Sequence, residues 1–502
     1  MRLHQRWLLL LASAAMLFAT ACGERNGTPR PASEETPFEI SIMAVLHTSK
    51  LPDDEVMKLV ERKTGAELDV KWISGEIYYE KLKAAMATDS LPMAVSTGSQ
   101  SFYKELKDAI RHGEFWEIGP YLEKYGNLRR LDEDVLRSAA VDGKIYGLYQ
   151  ERPRSRQGVI YRKDWLDRLG LEPPTTVDEL FEMLVAFAER DPDGDGLRNT
   201  IGLAERNDMV YGAFKTVSSY FGVPNQWGVK DGGLEPEFMF PAYIETMNFF
   251  RSLRERGAVN ADFPVTSKSA QRDLFINGTA GAYIGSLSDA VGLYREAAKR
   301  NPKAEVDVAN RIEGPNGPGV WSIPGYGAAF LFPKSSISSE AELERVLSFY
   351  DALMDPEVYH LLQYGIEGRH YEKTDGKANM IADPEVVERE VKPLIQLQIG
   401  GPSTIDAMPP YETDALSVKV GERIKDNDNM LIDDPTLGLE SRTFDELGGR
   451  LQRRIADAAY QYMLGQIDDD GFREAVVEWR AQGGDKMIAE YNEQYRRKTS
   501  TP

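Results

Sequence analysis

Asp191, Asp193 and Asp195 alternate along a short run that closes on Gly196. Carboxylates at positions one, three and five with glycine at six form the front half of an EF-hand-type loop, because hard Ca²⁺ needs several oxygens converging from one tight turn. The backbone carbonyl of Leu197, the side chain of Asn199 and Thr200 would complete the cage, while Gly202 stands where a true EF-hand carries a bidentate Glu. The expectation is a bound calcium ion that fixes a loop rather than one that catalyses. A solvated acidic turn is the simpler alternative.

The second chemically distinctive residue is Cys22, the only cysteine of 502 residues. Arg2 and Arg6, an apolar run from Trp7 to Phe18, and the small residues Ala19, Thr20 and Ala21 precede it. That order reads as a secretory signal peptide over residues 1–21. The thiol at the cleavage point is the group that receives the diacylglycerol of a lipoprotein, although Ala19 stands where such signals usually carry Leu. The apolar run is about a dozen residues, against roughly 20 for a membrane span. Residues 22–37, with three prolines and almost nothing apolar, read as a lipidated Cys22 and a flexible tether. The expected location is the outer face of the cytoplasmic membrane. With its thiol carrying the lipid the chain would have no free thiol and no disulfide, so stability must come from a packed core.

The elements that must position such groups begin with Phe38, Ile40 and Ile42 alternating as a strand. A helix near Asp53 to Lys63 follows, closed by Gly65, and then a strand through Leu68, Val70 and Trp72. Strand, helix, strand at this spacing predicts a parallel crossover and an α/β class. Thr176 with Glu179 forms a capping box, and Leu180, Met183, Leu184 and Phe187 mark one face of the helix that runs into the acidic loop. Towards the C-terminus Leu451, Ile455, Ala458, Ala459 and Tyr462 share a helical face, with a further helix around Phe472 to Trp479. About 465 residues follow the tether, enough for two domains or lobes.

A formal charge of -20 and a pI near 4.9 argue against nucleic acid as a partner. They count less strongly against a polyanionic ligand, because a local basic patch can sit on an acidic protein. Beyond the signal only His47, His112, His360 and His370 remain, and the chain holds no HExxH helix, GxSxG elbow or phosphate loop.

Three segments then carry a family likeness. The first is Tyr161-Arg-Lys-Asp-Trp-Leu-Asp-Arg-Leu-Gly170, followed by Pro174 to Leu180 and the Asp191 loop. The second runs from Tyr364 to Tyr371, and the third from Met463 through Ala481 to the Tyr-rich last helix. In this order they resemble the family 1 extracellular solute-binding lipoproteins of carbohydrate ABC transporters, including relatives that take up alginate and other oligosaccharides. The resemblance implies a type II periplasmic-binding-protein-like fold with a ligand cleft between two lobes. It places residues 38–147 with 310–366 in the first lobe and 148–309 with 367–497 in the second. It also places calcium in the loop from Asp191 to Thr200, where relatives commonly carry an acidic residue at Asn199 or Thr200.

Sugars present apolar C–H faces rimmed by hydroxyls, so a site for them needs flat rings together with carboxylates, amides or guanidinium groups. Rings beside Gly or Pro in predicted loops are the candidates: Trp227, Trp321 and Tyr326, with Tyr146 and Tyr149 near the first crossing. Ser96, Thr97 and Gln100 could donate hydrogen bonds, and Glu367 and Arg369 could contact ligand or form a structural ion pair. The implied role is capture of oligosaccharides by a monomer that delivers them to ABC permease subunits by lobe closure, without bond breaking. A secreted lyase or glycoside hydrolase, and an extracytoplasmic sugar sensor or adhesin, are the competing readings.

Overall fold

The computed structural model describes residues 38–48, 50–98, 106–412 and 414–500; Cys22, the tether and Gln100 lie outside the described residues. The strand Phe38–Leu46 pairs in parallel with Ala66–Ser74 from Phe38↔Ala66 to Leu46↔Ser74, and on its other side with Ala94–Ser96. Its alternation holds only at the start. Ile40 and Ile42 are buried with Glu39 exposed, but Met43, Ala44 and Val45 are all buried, because an internal parallel strand is covered on both faces. The intervening helix spans Asp54–Thr64 and stops at Gly65, whose φ of 70° lets its N–H reach the Glu61 carbonyl at 2.8 Å.

Two strands from far along the chain complete this sheet. Tyr326–Leu331 lies between Ala94–Ser96 and Gly147–Glu151, antiparallel to both, with Phe330 opposite Ser96 and Ala329 opposite Tyr149. A second sheet has the order Val306–Ala309, Gln157–Arg162, Ala280–Ser286, Ile201–Ala204. The expected helix over Val177–Glu189 closes with the capping box: Thr176 Oγ1 accepts from Glu179 N–H at 3.2 Å, and Glu179 Oε2 accepts from Thr176 N–H at 3.2 Å. The helix Arg442–Met463 buries Leu451, Ile455, Ala458, Ala459 and Tyr462 as its periodicity predicts.

The apolar residues segregate with the sheets. One core gathers Ile42, Val95, Leu148, Phe330, Tyr350 and Leu394; another gathers Val159, Leu184, Phe250, Ile284, Ile455 and Tyr462, with a satellite around Ile160, Tyr283 and Leu416. The chain passes between the sheets at 152–156, again at 310–325, and a third time between Ile405 and Leu416. This third passage comes later than the change expected at 366. Gly365, with φ 81°, marks a turn there, and Leu394, Leu397, Ile399 and Ile405 still pack on the first core. Among the described residues no helix is long and apolar enough to cross a membrane.

An ion cluster ties the two halves together. Lys107, beside Ala109 and Ile110 of the first core, donates to both carboxylate oxygens of Glu440 at 3.0 Å; Arg111 reaches Glu440 at 2.9 Å and Asp445 at 3.2 Å. Glu440 follows Leu439 and Asp445 follows Phe444, both packed on the second core. The Lys107 and Glu440 side chains are only 17% and 19% exposed. Glu440→Gln is expected to cost on the order of 1–3 kcal/mol, between the exposed-pair and buried-pair limits, and to raise the radius of gyration of the ligand-free protein in solution scattering. An unchanged urea midpoint and unchanged radius would show that the cluster holds nothing.

Glu205, at the end of Ile201–Ala204, is buried and accepts N–H groups from Ala213 at 2.8 Å and Arg206 at 2.7 Å. Burial, only partly offset by those two donors, pushes its carboxyl up to about 8. An unfolded Glu titrates near ~4.3, so the folded state holds the extra proton between those values. Stability relative to a Glu205→Gln variant is therefore expected to fall as pH rises from about 4.5 to about 8. Urea midpoints of both proteins across that range check the sign.

Candidate functional site

The carboxyl ends of parallel strands are where an open α/β sheet exposes its crevice. On the first sheet that edge carries His47, Gly75 and Gly98, each just beyond its strand, together with Tyr326 and Arg152 from the antiparallel pair. Gly75 is held there by close approach: a Cβ would meet the His47 ring at 3.3 Å. On the second sheet the corresponding edge carries Arg156, Glu205 and Ser286. The crossings at 152–156 and 310–325 join these edges and bond to one another, Arg152 N–H to Gly325 O at 2.9 Å and Ile323 N–H to Arg154 O at 2.7 Å.

Most of the rings expected to meet a ligand lie in the cores. Tyr149 is fully buried, with its hydroxyl accepting from Asp132 N–H at 2.8 Å, and Trp227 packs edge-on against Tyr491 with centroids 4.9 Å apart. Tyr326 is buried in the first core, and Tyr146 is half-buried against it. Flanking Gly and Pro marked where the chain turns, and these rings fill the turns from inside. Trp321 is also buried, with Nε1 donating to Thr216 Oγ1 at 3.2 Å, but its ring touches Tyr211, which is 54% exposed, at 5.7 Å. Trp321 with Tyr211 is therefore the aromatic pair that reaches the second crossing.

The polar candidates have internal partners. Ser96 Oγ accepts from Gly98 N–H at 3.1 Å, and Thr97 exchanges bonds with Ala329, its N–H to Ala329 O at 2.7 Å and Ala329 N–H to its Oγ1 at 3.0 Å. These two residues knit strands together at the crevice edge. Glu367 pairs with Lys373 at 2.9 Å, and Arg369 binds Glu55 and the buried Glu390. Arg369 is thus a structural ion pair inside the first half, clamping the helix Asp54–Thr64 to the helix Pro384–Glu390.

Sequence reasoning passed over the basic run Arg152, Arg154, Arg156, three guanidinium groups in five residues of an acidic chain. Arg154 pairs with Asp433 at 2.6 Å. The Arg152 stem packs against Gly327, and its guanidinium donates to Gln150 Oε1 at 3.0 Å. Burial first and Arg156 second hold the Arg152 pKa below its usual value. His47 is lowered as well, by burial and then by Arg152. Tyr211, whose phenol burial and then Asp208 raise, lies also within the field of Arg156, which opposes them.

In the acidic loop the carboxylate oxygens of Asp191, Asp193 and Asp195 come within 4.8 Å of one another. Asp191 accepts N–H groups from Gly194, Asp195 and Gly196, and Asn199 donates to Asp195 Oδ2 at 3.0 Å, which shapes the turn. Asp193 Oδ1 is buried without a hydrogen-bond partner, and burial, Asp191 and Asp195 together raise its pKa. An orphaned carboxylate oxygen facing two others is what a hard cation would satisfy, so the donor set fits calcium. Thr200 is buried with its hydroxyl donating to Phe187 O at 2.8 Å, and Leu197 N–H donates to Asp195 Oδ1 at 2.7 Å. A hollow of about 590 Å³ beside the loop is lined by Arg190, Arg198 and Arg256 without any ring. It sits at the far end of Ile201–Ala204 from the crevice.

The family model described as bacterial extracellular solute-binding protein matches residues 49–359. A polygalacturonan/rhamnogalacturonan-binding protein of Bacillus subtilis, YtcQ, is 39% identical over 97% of both chains, and the B. subtilis lipoprotein LipO is 32% identical over 98% of this chain and 99% of its own. Among solved structures, a human-milk-oligosaccharide-binding ABC-transporter-associated protein from Bifidobacterium longum infantis superposes with TM-score 0.72 at 15% identity, covering 92% of this chain and 99% of its own. An EF-hand mutant of the Streptococcus pneumoniae substrate-binding protein FusA, in complex with fructo-nystose, gives 0.69 at 18% identity, covering 92% and 100%. These folds are two-lobed binding proteins. Matched over more than half its length by the family model and nearly end to end by its relatives, the chain belongs to the bacterial extracellular solute-binding protein family.

Proposed function

We propose that this protein captures oligosaccharides between two lobes and delivers them to the permease of an ABC importer by lobe closure. The observation that carries the reading is the pair of sheets whose carboxyl-terminal edges are joined at 152–156 and 310–325, with a third passage between the cores after Ile405. Rigid units linked by a few short segments close by hinge motion around a bound ligand, and ligand that contacts both units stabilises the closed state. The lobes divide at these passages: residues 38–151 with 326–405, and 157–309 with 416–497. The sugar-binding names of YtcQ and FusA support a carbohydrate ligand.

In the same reading the protein is a receptor and not a hydrolase or lyase, it acts as a monomer, and Cys22 carries the lipid that keeps it on the outer face of the cytoplasmic membrane. A receptor that passes its ligand to a permease works within a tether's length of it. LipO, a lipoprotein similar end to end, supports the anchor. Calcium, held by Asp191, Asp193 and Asp195 with Asn199 beside them, would tie the loop after the helix Val177–Glu189 to that helix.

Titration calorimetry of the mature protein against defined oligosaccharides is expected to give a one-to-one isotherm without product, with a smaller radius of gyration in solution scattering. A ligand at 100 times its Kd should add about 2.7 kcal/mol of stability. New reducing ends or unsaturated products would refute the receptor reading. Asp193→Asn or a chelator is expected to lower the melting temperature in calcium buffer to one common value; equal melting with calcium, with chelator and in the variant would refute the metal.

A further inference from the structure

The first passage between the sheets contains an electrostatic anomaly. Arg152 leaves the crevice edge of the first sheet and Arg156 enters that of the second, four residues apart. Both are half-buried. Among the described residues neither guanidinium has a carboxylate oxygen within the 4.0 Å of an ion pair, whereas Arg154, between them and pointing elsewhere, has Asp433. Arg152 keeps one neutral acceptor, Gln150, which is itself fixed by donating to Ile395 O at 2.7 Å. Arg156 is close enough to repel it, and the groups acting on Arg152 from other elements are His47 and Tyr359, neither an anion at neutral pH.

Two half-buried cations that repel each other raise the free energy of the ligand-free protein unless something brings negative charge to them. The chain has 80 Asp and Glu against 60 Lys and Arg, so carboxylates were in ample supply, yet among the described residues none stands within ion-pair distance of either guanidinium. Guanidinium groups bind carboxylate or sulfate oxygens through paired N–H donors, an arrangement a neutral hydroxyl cannot match. The neighbouring ring of Tyr211, exposed and braced edge-on by Trp321, supplies the flat face on which a sugar stacks.

From this geometry we infer that Arg152 and Arg156 form a built-in site for an acidic group of the captured sugar, carboxylate or sulfate ester, so that the ligand is an anionic oligosaccharide bound across the hinge. The inference rests on the oligosaccharide reading above. Arg152 stands on one sheet's edge and Arg156 on the other's, so an anion held between them contacts both halves, which couples its charge to closure. The net charge of -20 opposes this little, because exposed charges beyond a Debye length of roughly 8–10 Å are screened.

The test is calorimetry on the mature protein with oligogalacturonates of defined length, the same oligosaccharides methyl-esterified, sulfated galactan oligosaccharides, and their neutral counterparts. At least one acidic set is expected to bind, and removal of its charge by esterification or desulfation should weaken binding by about 10- to 100-fold. Arg156→Gln and Arg152→Gln should each weaken the acidic ligand by a similar factor without weakening a neutral one, and Arg156→Lys should restore part of the loss. Melting curves of the free variants control for folding; relief of the repulsion predicts that Arg156→Gln melts no lower than the parent. Whether uronate or sulfate binds more tightly identifies the acidic group. Neutral and acidic sugars binding alike, with both variants indifferent, would overturn the anionic site and leave the oligosaccharide receptor intact. Failure of every sugar, charged or neutral, would overturn the receptor reading as well.

Discussion

The backbone ladder that seats Tyr326–Leu331 between Ala94–Ser96 and Gly147–Glu151 is the interaction on which the rest of the molecule depends. It joins residues roughly 180 to 230 positions apart, so the chain must leave the first sheet after Glu151, build another, and return in time for Tyr326. Everything between is forced into a second unit with its own core. The exit and return segments then have to run side by side, and the bonds from Arg152 to Gly325 and from Ile323 to Arg154 follow from that. Thr97, hydrogen-bonded twice to Ala329, locks the ladder at the crevice edge.

This arrangement concentrates function at the passages. The buried apolar residues gather in separate clusters, so a hydrophobic core stabilises each half. Charges and hydrogen bonds bridge the halves, as in the cluster of Lys107, Arg111, Glu440 and Asp445. Polar contacts suit the closure proposed above, since water replaces them at small net cost, whereas separating apolar faces would cost about 25 cal/mol for each Å² exposed.

The acidic loop shows a different economy. Its three carboxylates sit in consecutive turns of one segment, so their convergence is a local property of Asp191 to Gly196. The cleft residues are brought together from strands, helices and crossings scattered over the chain. Local periodicity has nothing to say about which of 23 tyrosines ends in a core and which beside a crevice. Tyr149 and Tyr211 carry the same ring, yet one is sealed under Asp132 and the other stands half in water. The triple arginine run was visible, but its meaning was not, because an exposed Arg is ordinarily paired or solvated.

Read alone, the amino-acid order determined whatever depends on neighbours a few residues apart. It specified the opening strand, helix and strand, the capping box of Thr176 and Glu179, the buried stripe from Leu451 to Tyr462, and the acidic turn. Short-range hydrogen bonds and a repeat of two or 3.6 residues encode these directly. Tertiary structure alone decided that the chain stays on the first core as far as Ile405, that Ser96 and Thr97 brace a sheet, that Arg369 clamps two helices, and that Arg152 and Arg156 lie in each other's field with no ion-pair partner among the described residues. Burial and charge pairing are set by what arrives from elsewhere in the chain, and no local pattern carries that information.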